Sequence, residues 1–350
     1  MLNKVQQEMK KQQLDGLWIT SSDRIESLVG ICLNPMERFL GLYLSENQKP
    51  ILLANILFVL PKSNHYDLVE YYDHDDLGQK IVDISCGQTI GVDKTMQYQY
   101  ILPLLTNKKN VVIGSDCLDV IRAIKDQVAI QKMKRASEIN DQAMLLIKNK
   151  LVVGVSEREI ADEIRRIYQQ LDAQGESFEC IVAFGDHGAD PHAVVSDRKL
   201  KAGESIIVDM GCVVDGYCSD MTRTYFLKEN TASKAYQACL QANLAAIAAI
   251  KPGVRFCDLD KAARDVIEQA GYGPYFIHRL GHGIGQSVHE PYDVSASNQQ
   301  FVLPGMCFSI EPGIYVENQF GIRIEDLVYV DEFGYGQLLN FVDKEHPVLK

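Results

Sequence analysis

The stretch VDMGCVVDGYCSD, residues 208–220, carries two aspartates in a setting that reads as buried sheet. Asp209 closes the apolar run Ile206-Ile207-Val208, and Asp220 ends the second half of the same segment. Asp215-Gly216 is a two-residue type I′ turn signal between Val213-Val214 and Tyr217-Cys218, so the segment reads as a β-hairpin. With the turn centred there, Val214 faces Tyr217 and Gly211 faces Asp220. Asp209, two residues before Gly211, shares its strand face, which makes the two carboxylates diagonal neighbours roughly 5–8 Å apart. Unpaired like charges on a half-buried face are costly, or keep one group protonated, unless a cation lies between them. Taken alone, the pair reads equally well as the wet face of an edge hairpin.

Three downstream stretches have the same character. HRLGHGIGQSVHE (278–290) sets His278, His282 and His289 around Gly281, Gly283 and Gly285. CFSIEPGIYV (307–316) ends an apolar strand run on Glu311, and GIRIEDLVYV (321–330) places Glu325 inside another. Each breaks binary patterning by putting a polar group on the core side. Singly, such a His is more often structural and such a Glu more often solvated; the recurrence is what marks a site. Asp209, Asp220, Glu311, Glu325 and a neutral His282 form a hard, oxygen-rich set of about four negative charges, which two divalent cations would balance. The glycines are expected to allow close backbone approach and positive φ. The glycine spacing is not G-x-G-x-x-G and no Lys-Ser/Thr follows, so a phosphate loop is not indicated; HExxH and G-x-S-x-G are absent too.

With 350 residues, 46% of them hydrophobic, the chain can bury a large core and divide into two domains or three. A net charge of −12 without a Lys/Arg block argues against nucleic acid or an anionic membrane as main partner and for a small substrate or peptide. Nine cysteines with no CxxC pair argue against a disulfide framework or a thiolate zinc site and fit a reduced cytosol. Leu2, Val5 and Met9 have the spacing of an amphipathic helix stopped at Gly16; neither a signal-peptide core nor a membrane-length apolar run is expected.

Residues 1–120 alternate helix-like and strand-like pieces. The strands expected are GLWIT (16–20), FLGLYLS (39–45) and PILLANILFV (50–59) joined by the turn 46–49, GQTIGVD (87–93) and NVVIGSD (110–116). This predicts a small α/β domain without a catalytic cluster, ending near Asp119 to Asp126, where the helical stretch VAIQKMKRASEINDQAMLLIKN begins. In residues 121–350 a faint echo appears: Gly154-Val155 followed by Glu159-Ile160, and Gly253-Val254 followed by Asp258-Leu259. Two half-domains with helices outside a central sheet would account for it.

On these residues the chain resembles the metallopeptidases of the pita-bread fold, which include methionine aminopeptidase, aminopeptidase P, Xaa-Pro dipeptidase (prolidase) and creatinase. The resemblance covers about residues 125–345. It implies an α/β (α+β) chain: a small creatinase-like domain, then a pita-bread catalytic domain with a pseudo-twofold repeat. It also implies that Asp209, Asp220, His282, Glu311 and Glu325 bind two metal ions, with His192 of Pro191-His192 and His289 as further catalytic residues and His278 on the substrate side. The N-terminal domain is similar to that of the creatinase, aminopeptidase P and prolidase branch. FIHRLGHGIG, MCFSIEPGIY and the loop NPMERF (34–39) are most similar to bacterial Xaa-Pro dipeptidases. Two stretches depart from the family pattern: RIESLVGI (24–31) lacks an aromatic residue before the Leu, and DHGADPH (186–192) has Asp186-His187 where Asn-Ala is usual.

The function so implied is metal-assisted hydrolysis of Xaa-Pro dipeptides. Glu311 is expected as the general base, and His192 and His289 as partners of the oxyanion or the leaving proline. Arg323, two residues before Glu325, is read as orienting a ligand, as pairing with the substrate carboxylate, or equally well as a structural ion pair; Arg38 is a further candidate for that carboxylate, supplied across a homodimer. Oxygen-rich coordination favours Mn²⁺, with Co²⁺ or Zn²⁺ able to occupy the same cage. The alternatives are aminopeptidase P acting on longer peptides, a creatinase-like hydrolase, and an inactive binding homologue. A cytoplasmic enzyme is expected.

Overall fold

The computed structural model describes residues 1–349 except 32, 47, 62 and 229. Two compact units emerge, Met1–Ile121 and Arg122–Lys350.

The first unit contains helix α1 (Leu2–Lys11), β1 (Gly16–Ile19), α2 (Ser22–Val29), β2 (Leu40–Ser45), β3 (Ile51–Asn55), β4 (Asp67–Tyr71), α3 (Leu77–Ile84), β5 (Thr89–Val92), α4 (Tyr98–Thr106) and β6 (Asn110–Ile113), with α5 (Asp116–Ala123) following. Its six-stranded sheet has the order β4-β3-β2-β1-β5-β6. β1 pairs antiparallel with β2 and parallel with β5, so the sheet is mixed. Trp18, fully buried in β1, donates its indole N–H to Ser85 Oγ at 2.8 Å, which satisfies the one polar atom that burial would orphan.

Two local expectations need correction. The first helix ends at Lys11 rather than near Gly16, because Gln13 takes a positive φ of 58° and turns the chain, with Leu14 N–H bonding Met9 O. The run 50–59 supplies a strand only as far as Asn55, where the Asn side chain accepts from Leu57 N–H and makes a turn. One residue of the turn at 46–49 lies outside the described residues.

The second unit begins with α6 (Gln127–Lys148), α7 (Glu157–Gln170), β7 (Gly175–Glu176), β8 (Ile181–Phe184), β9 (Ser205–Met210), β10 (Cys212–Val214), β11 (Tyr217–Cys218) and β12 (Met221–Phe226). It continues with α8 (Ser233–Ala248), α9 (Phe256–Gln269), β13 (Gly281–Gly283), β14 (Glu290–Val294), β15 (Cys307–Ile310), β16 (Gly313–Val316), β17 (Phe320–Arg323), β18 (Asp326–Val330) and β19 (Gly336–Leu338). The echo in sequence corresponds to matching structure. Ser156 caps α7 through a capping box with Glu159, and Asp258 receives the Arg255 N–H at the start of α9. Gly154 and Gly253, two residues before these caps, both have positive φ, and the caps bridge to Lys199 and Phe301 respectively.

Each half has its own apolar core, one built on α6, α7, β8, β9 and β12, the other on α8, α9, β15 and β18. The halves meet along β12. Thr224 Oγ donates to Arg323 O and accepts from Arg323 N–H, and Glu325 N–H donates to Thr222 O at 3.0 Å. This seam brings acidic residues from both halves together, Asp209 within β9 and Asp220, Glu311 and Glu325 just beyond strand ends.

Candidate metal centre

The hairpin closes as its turn chemistry requires. Asp215 and Gly216 both have positive φ, and Val214 lies opposite Tyr217 and Val213 opposite Cys218. Beyond it Asp209 pairs with Thr222 and Met210 with Met221; the same register sets Gly211 opposite Asp220. A Cβ at Gly211 would lie 2.1 Å from Ser219 O, so only glycine lets the segment carrying Asp220 approach this closely.

Glu311 follows directly on the last residue of β15. Glu325 is not inside a strand but in the break between β17 and β18, where the chain leaves the β16 ladder and bonds to β12 instead. His282 sits in β13, whose glycines act through close approach: Gly281, Gly283 and Gly285 are absent from the positive-φ glycines, and a Cβ on Gly281 would meet Ser309 O at 2.0 Å.

These side chains line a cavity of about 390 Å³ together with His192, His278, His289 and Arg323. Asp220, His282 and Glu325 each place a ligand atom within 4.8 Å of the others. His282 Nε2 lies 3.7 Å from Asp220 Oδ2 and 3.5 Å from Glu311 Oε1. Its Nδ1 bonds Gly283 O at 3.1 Å, which fixes the proton there and leaves a bare Nε2 lone pair facing carboxylate oxygens. Burial, with His289 nearby, pulls the imidazole down to about 3, so it is neutral.

Three of the acids each keep one oxygen that the described residues leave unsatisfied. Asp209 Oδ1, Asp220 Oδ1 and Glu325 Oε1 are buried and receive no hydrogen bond from any described residue. Burial, then the charges of Asp209 and Glu311, push the Asp220 carboxyl well above its ordinary value. Burial, then Asp220, does the same to Glu325. Glu311 is pushed up to about 7 by burial, with Arg323 opposing and Asp209 adding to the rise. Orphaned oxygens from three acids and a bare imidazole lone pair, lining one cavity, fit a hard divalent cation.

Arg323 is committed to the protein. Nη2 donates to Asp209 Oδ2 at 2.5 Å, Nε to Thr222 Oγ1 at 3.1 Å, and Nη1 to Tyr315 OH at 2.8 Å and Pro191 O at 3.2 Å. Of the readings open to it from sequence, this geometry is that of an ion pair that orients Asp209, not of a free clamp for the substrate carboxylate. Thr222, opposite Asp209, also donates to Glu325 Oε2 at 2.8 Å, and so links acids from both halves. Tyr315 bonds His278 Nε2 at 3.1 Å, while His278 Nδ1 is held by Arg279 O at 2.7 Å; burial pulls His278 down to about 4. Sequence reasoning passed over Thr222 and Tyr315. Strand alternation from Glu311 through Gly313 to Tyr315 was the available signal for the latter. It also missed the apolar wall of Phe178, Ile181 and Val288 and the cation Arg279 on the rim. Arg38 belongs to the first unit, where Asp73 holds it through two bonds at 3.1 and 3.0 Å and Glu37 through one at 2.6 Å.

Residues 131–332 match the model of metallopeptidase family M24, and residues 1–124 match that of the creatinase/prolidase N-terminal domain. An uncharacterized peptidase of Staphylococcus saprophyticus is 35% identical over 347 residues, covering 97% of this chain and 99% of that protein. A dipeptidase from Mycobacterium ulcerans superimposes with a TM-score of 0.90 at 32% identity, covering 99% of this chain and 96% of the other. A prolidase from Thermococcus sibiricus gives 0.91 at 32% identity, over 99% and 97%. The chain belongs to metallopeptidase family M24, with a creatinase-like domain ahead of its catalytic domain. It is therefore a hydrolase of peptides that works with divalent metal ions. Among the described residues no helix is long and apolar enough to cross a membrane.

Proposed function

We propose that this chain is an Xaa-Pro dipeptidase in which Asp209, Asp220, His282, Glu311 and Glu325 hold two divalent ions, Mn²⁺ in the cell. The observation that carries the reading is the convergence of three unsatisfied buried carboxylate oxygens and the bare His282 Nε2 in one cavity. The likeness to a dipeptidase and a prolidase supports the substrate class. Bound there, the ions would supply Lewis acidity toward the scissile carbonyl and lower the pKa of the attacking water.

The chain's own groups do the rest. Ser309 Oγ occupies Glu311 Oε1 at 3.3 Å, so Oε2 is the oxygen left to take the proton of the attacking water and pass it to the leaving nitrogen. His192 and His289, exposed on the cavity, are placed to steady the oxyanion or to hydrogen-bond the leaving proline. His278 is fixed on both ring nitrogens and serves as a wall of the substrate pocket. Arg323 orients Asp209, which leaves the substrate carboxylate to another cation. Arg38 of a second copy is the candidate, in a cytoplasmic homodimer of chains that each have a first domain of residues 1–120 and a catalytic domain of residues 121–350.

Hydrolysis of Leu-Pro, Leu-Pro-Pro and creatine as parallel substrates, read as freed proline, freed leucine and freed urea respectively, tests the reading. Purified, Mn²⁺-loaded protein is expected to release proline from Leu-Pro alone and to stop when the metal is chelated. Cleavage of Leu-Pro-Pro would make it an aminopeptidase P, and hydrolysis of creatine a creatinase-like enzyme; silence on all three with metal bound would remove the proposal.

A further inference from the structure

Glu290 follows His289 in sequence and opens β14, yet its side chain turns away from the cavity and is 2% exposed. Four donors converge on it. Arg122 Nη2 at 2.6 Å, Gln286 N–H at 3.0 Å and Ser287 N–H at 3.2 Å meet Oε1, and Lys125 Nζ at 2.8 Å meets Oε2. The side chains of Arg122 and Lys125 are each 4% exposed. Burial alone would raise the carboxyl; Lys125 and then Arg122 outweigh it and hold the group below its ordinary range.

Such a cluster is a poor way to gain stability, since desolvation costs several kcal/mol per ion and apolar residues of the same volume would serve as well. What it does supply is a fixed shape for residues 284–289, the loop between His282 and His289. Two consecutive amides of the loop turn inward to one carboxylate oxygen, and Arg122 Nη2 also reaches Ser287 Oγ at 3.0 Å. From the other side Cys218 N–H donates to Gly285 O at 2.8 Å and Cys218 Sγ to Gln286 O at 3.4 Å, two residues before Asp220. The fit is close: a Cβ on Gly285 would lie 2.6 Å from Glu290 Oε2. At the far end of the loop the His289 ring stands edge-on to His282, centroids 4.2 Å apart.

We infer that Glu290 is a positioning residue: its carboxylate, held by Arg122 and Lys125, folds the 284–289 loop and so sets where the His289 ring stands over the cavity. Neither end of the residue is replaceable by a near relative. Glutamine keeps the length but cannot balance two buried cations, and aspartate falls a methylene short of spanning the cations and the loop amides. The inference rests on the proposed role of His289 for its kinetic consequence, though not for its structural one.

The test is a double-mutant cycle of Glu290→Gln and His289→Ala on Mn²⁺-loaded protein with Leu-Pro, together with amide hydrogen exchange of the 284–289 loop in metal-free protein. Glu290→Gln is expected to lower kcat about 10- to 100-fold with little change in KM and to speed exchange at Gln286 and Ser287. The double variant should be no slower than His289→Ala alone, because Glu290 acts through that ring. Multiplicative losses in the double variant, or loop amides as protected in Glu290→Gln as in the parent, would overturn the inference. Should Glu290→Gln fail to fold, Lys125→Met, which leaves the Arg122–Glu290 pair one to one, should give a smaller loss with the same non-additivity; additivity there counts equally against it. A parent chain that turns over no Xaa-Pro dipeptide would sink the dipeptidase reading instead, and the exchange arm would still decide on Glu290.

Discussion

Glu325 and Asp326 are adjacent carboxylic acids, both buried, and the fold treats them in opposite ways. Glu325 faces Asp220, Glu311 and Asp209 across the cavity, and burial with those charges drives its carboxyl well up. Asp326 faces away, pairs with Arg223 Nη2 at 2.7 Å and with Lys344 Nζ, and those cations outweigh its burial and drive it down. The Arg223 guanidinium also donates to Glu325 O and Thr222 O, so the neutralised cluster behind the cavity holds the backbone of the un-neutralised one in front. Burial therefore does not by itself mark a site. An acid whose partners are other acids is a demand for a cation, while an acid whose partners are cations is already a finished piece of structure.

Removing a ligand oxygen in front should have the largest effect. Asp209→Asn is expected to abolish turnover and metal retention, read by metal content after dialysis beside proline release; a variant that keeps two ions and full activity would refute the ligand assignment. Behind the cavity, Asp326→Ala strands a buried guanidinium and should destabilise the metal-loaded protein by about 3–5 kcal/mol in urea titrations. The front acids should respond with the opposite sign. Glu325→Gln in metal-free protein at pH 8 removes a like charge from the cluster, and its urea midpoint should be no lower than that of the parent.

The pH dependence of metal-free protein sharpens the same contrast. Glu311 has a folded value of about 7 against an ordinary 4.5, so the folded state binds more protons than the unfolded one between those limits. That contribution to stability is fully present below about pH 4.5 and lost as pH rises through 7, and saturating Mn²⁺ should flatten the decline. Asp326, depressed in the fold, behaves conversely: its contribution is present above the unfolded value of 3.8 and lost only on acidification below it. Thermal melts across pH 5 to 8 with and without metal would show this; an apo protein that grows more stable toward pH 8 would contradict it. The smallest change expected is Tyr315→Phe, which takes one partner from Arg323 and one from His278 and should cost about 1 kcal/mol in kcat/KM, several-fold in rate.

Much of this was legible in the chain because it is local. The Asp215-Gly216 turn sets a register that puts Asp209 and Asp220 on a diagonal, and the Ser156-to-Glu159 capping box starts a helix wherever its neighbours lie. The acids of three further stretches were visible as breaks in apolar strand pattern. Partners were not visible. Arg323 is 114 residues from Asp209 and Thr222 is 103 from Glu325, and no periodicity connects them. The sequence also misplaced Glu325 inside a strand, since the break there depends on β12 offering Thr222 O as a competing acceptor.

By itself, then, the sequence determined which residues carry charge into the core and how each short element folds, because turns, caps and strand alternation act over a few residues. Only the tertiary structure decided which buried acids are left wanting a cation, that Arg323 serves Asp209, and that Glu290 shapes the loop before His289. Those outcomes turn on distances between groups that meet only when the two halves close along β12, and electrostatic energy in a buried medium depends on such distances far more than on residue identity.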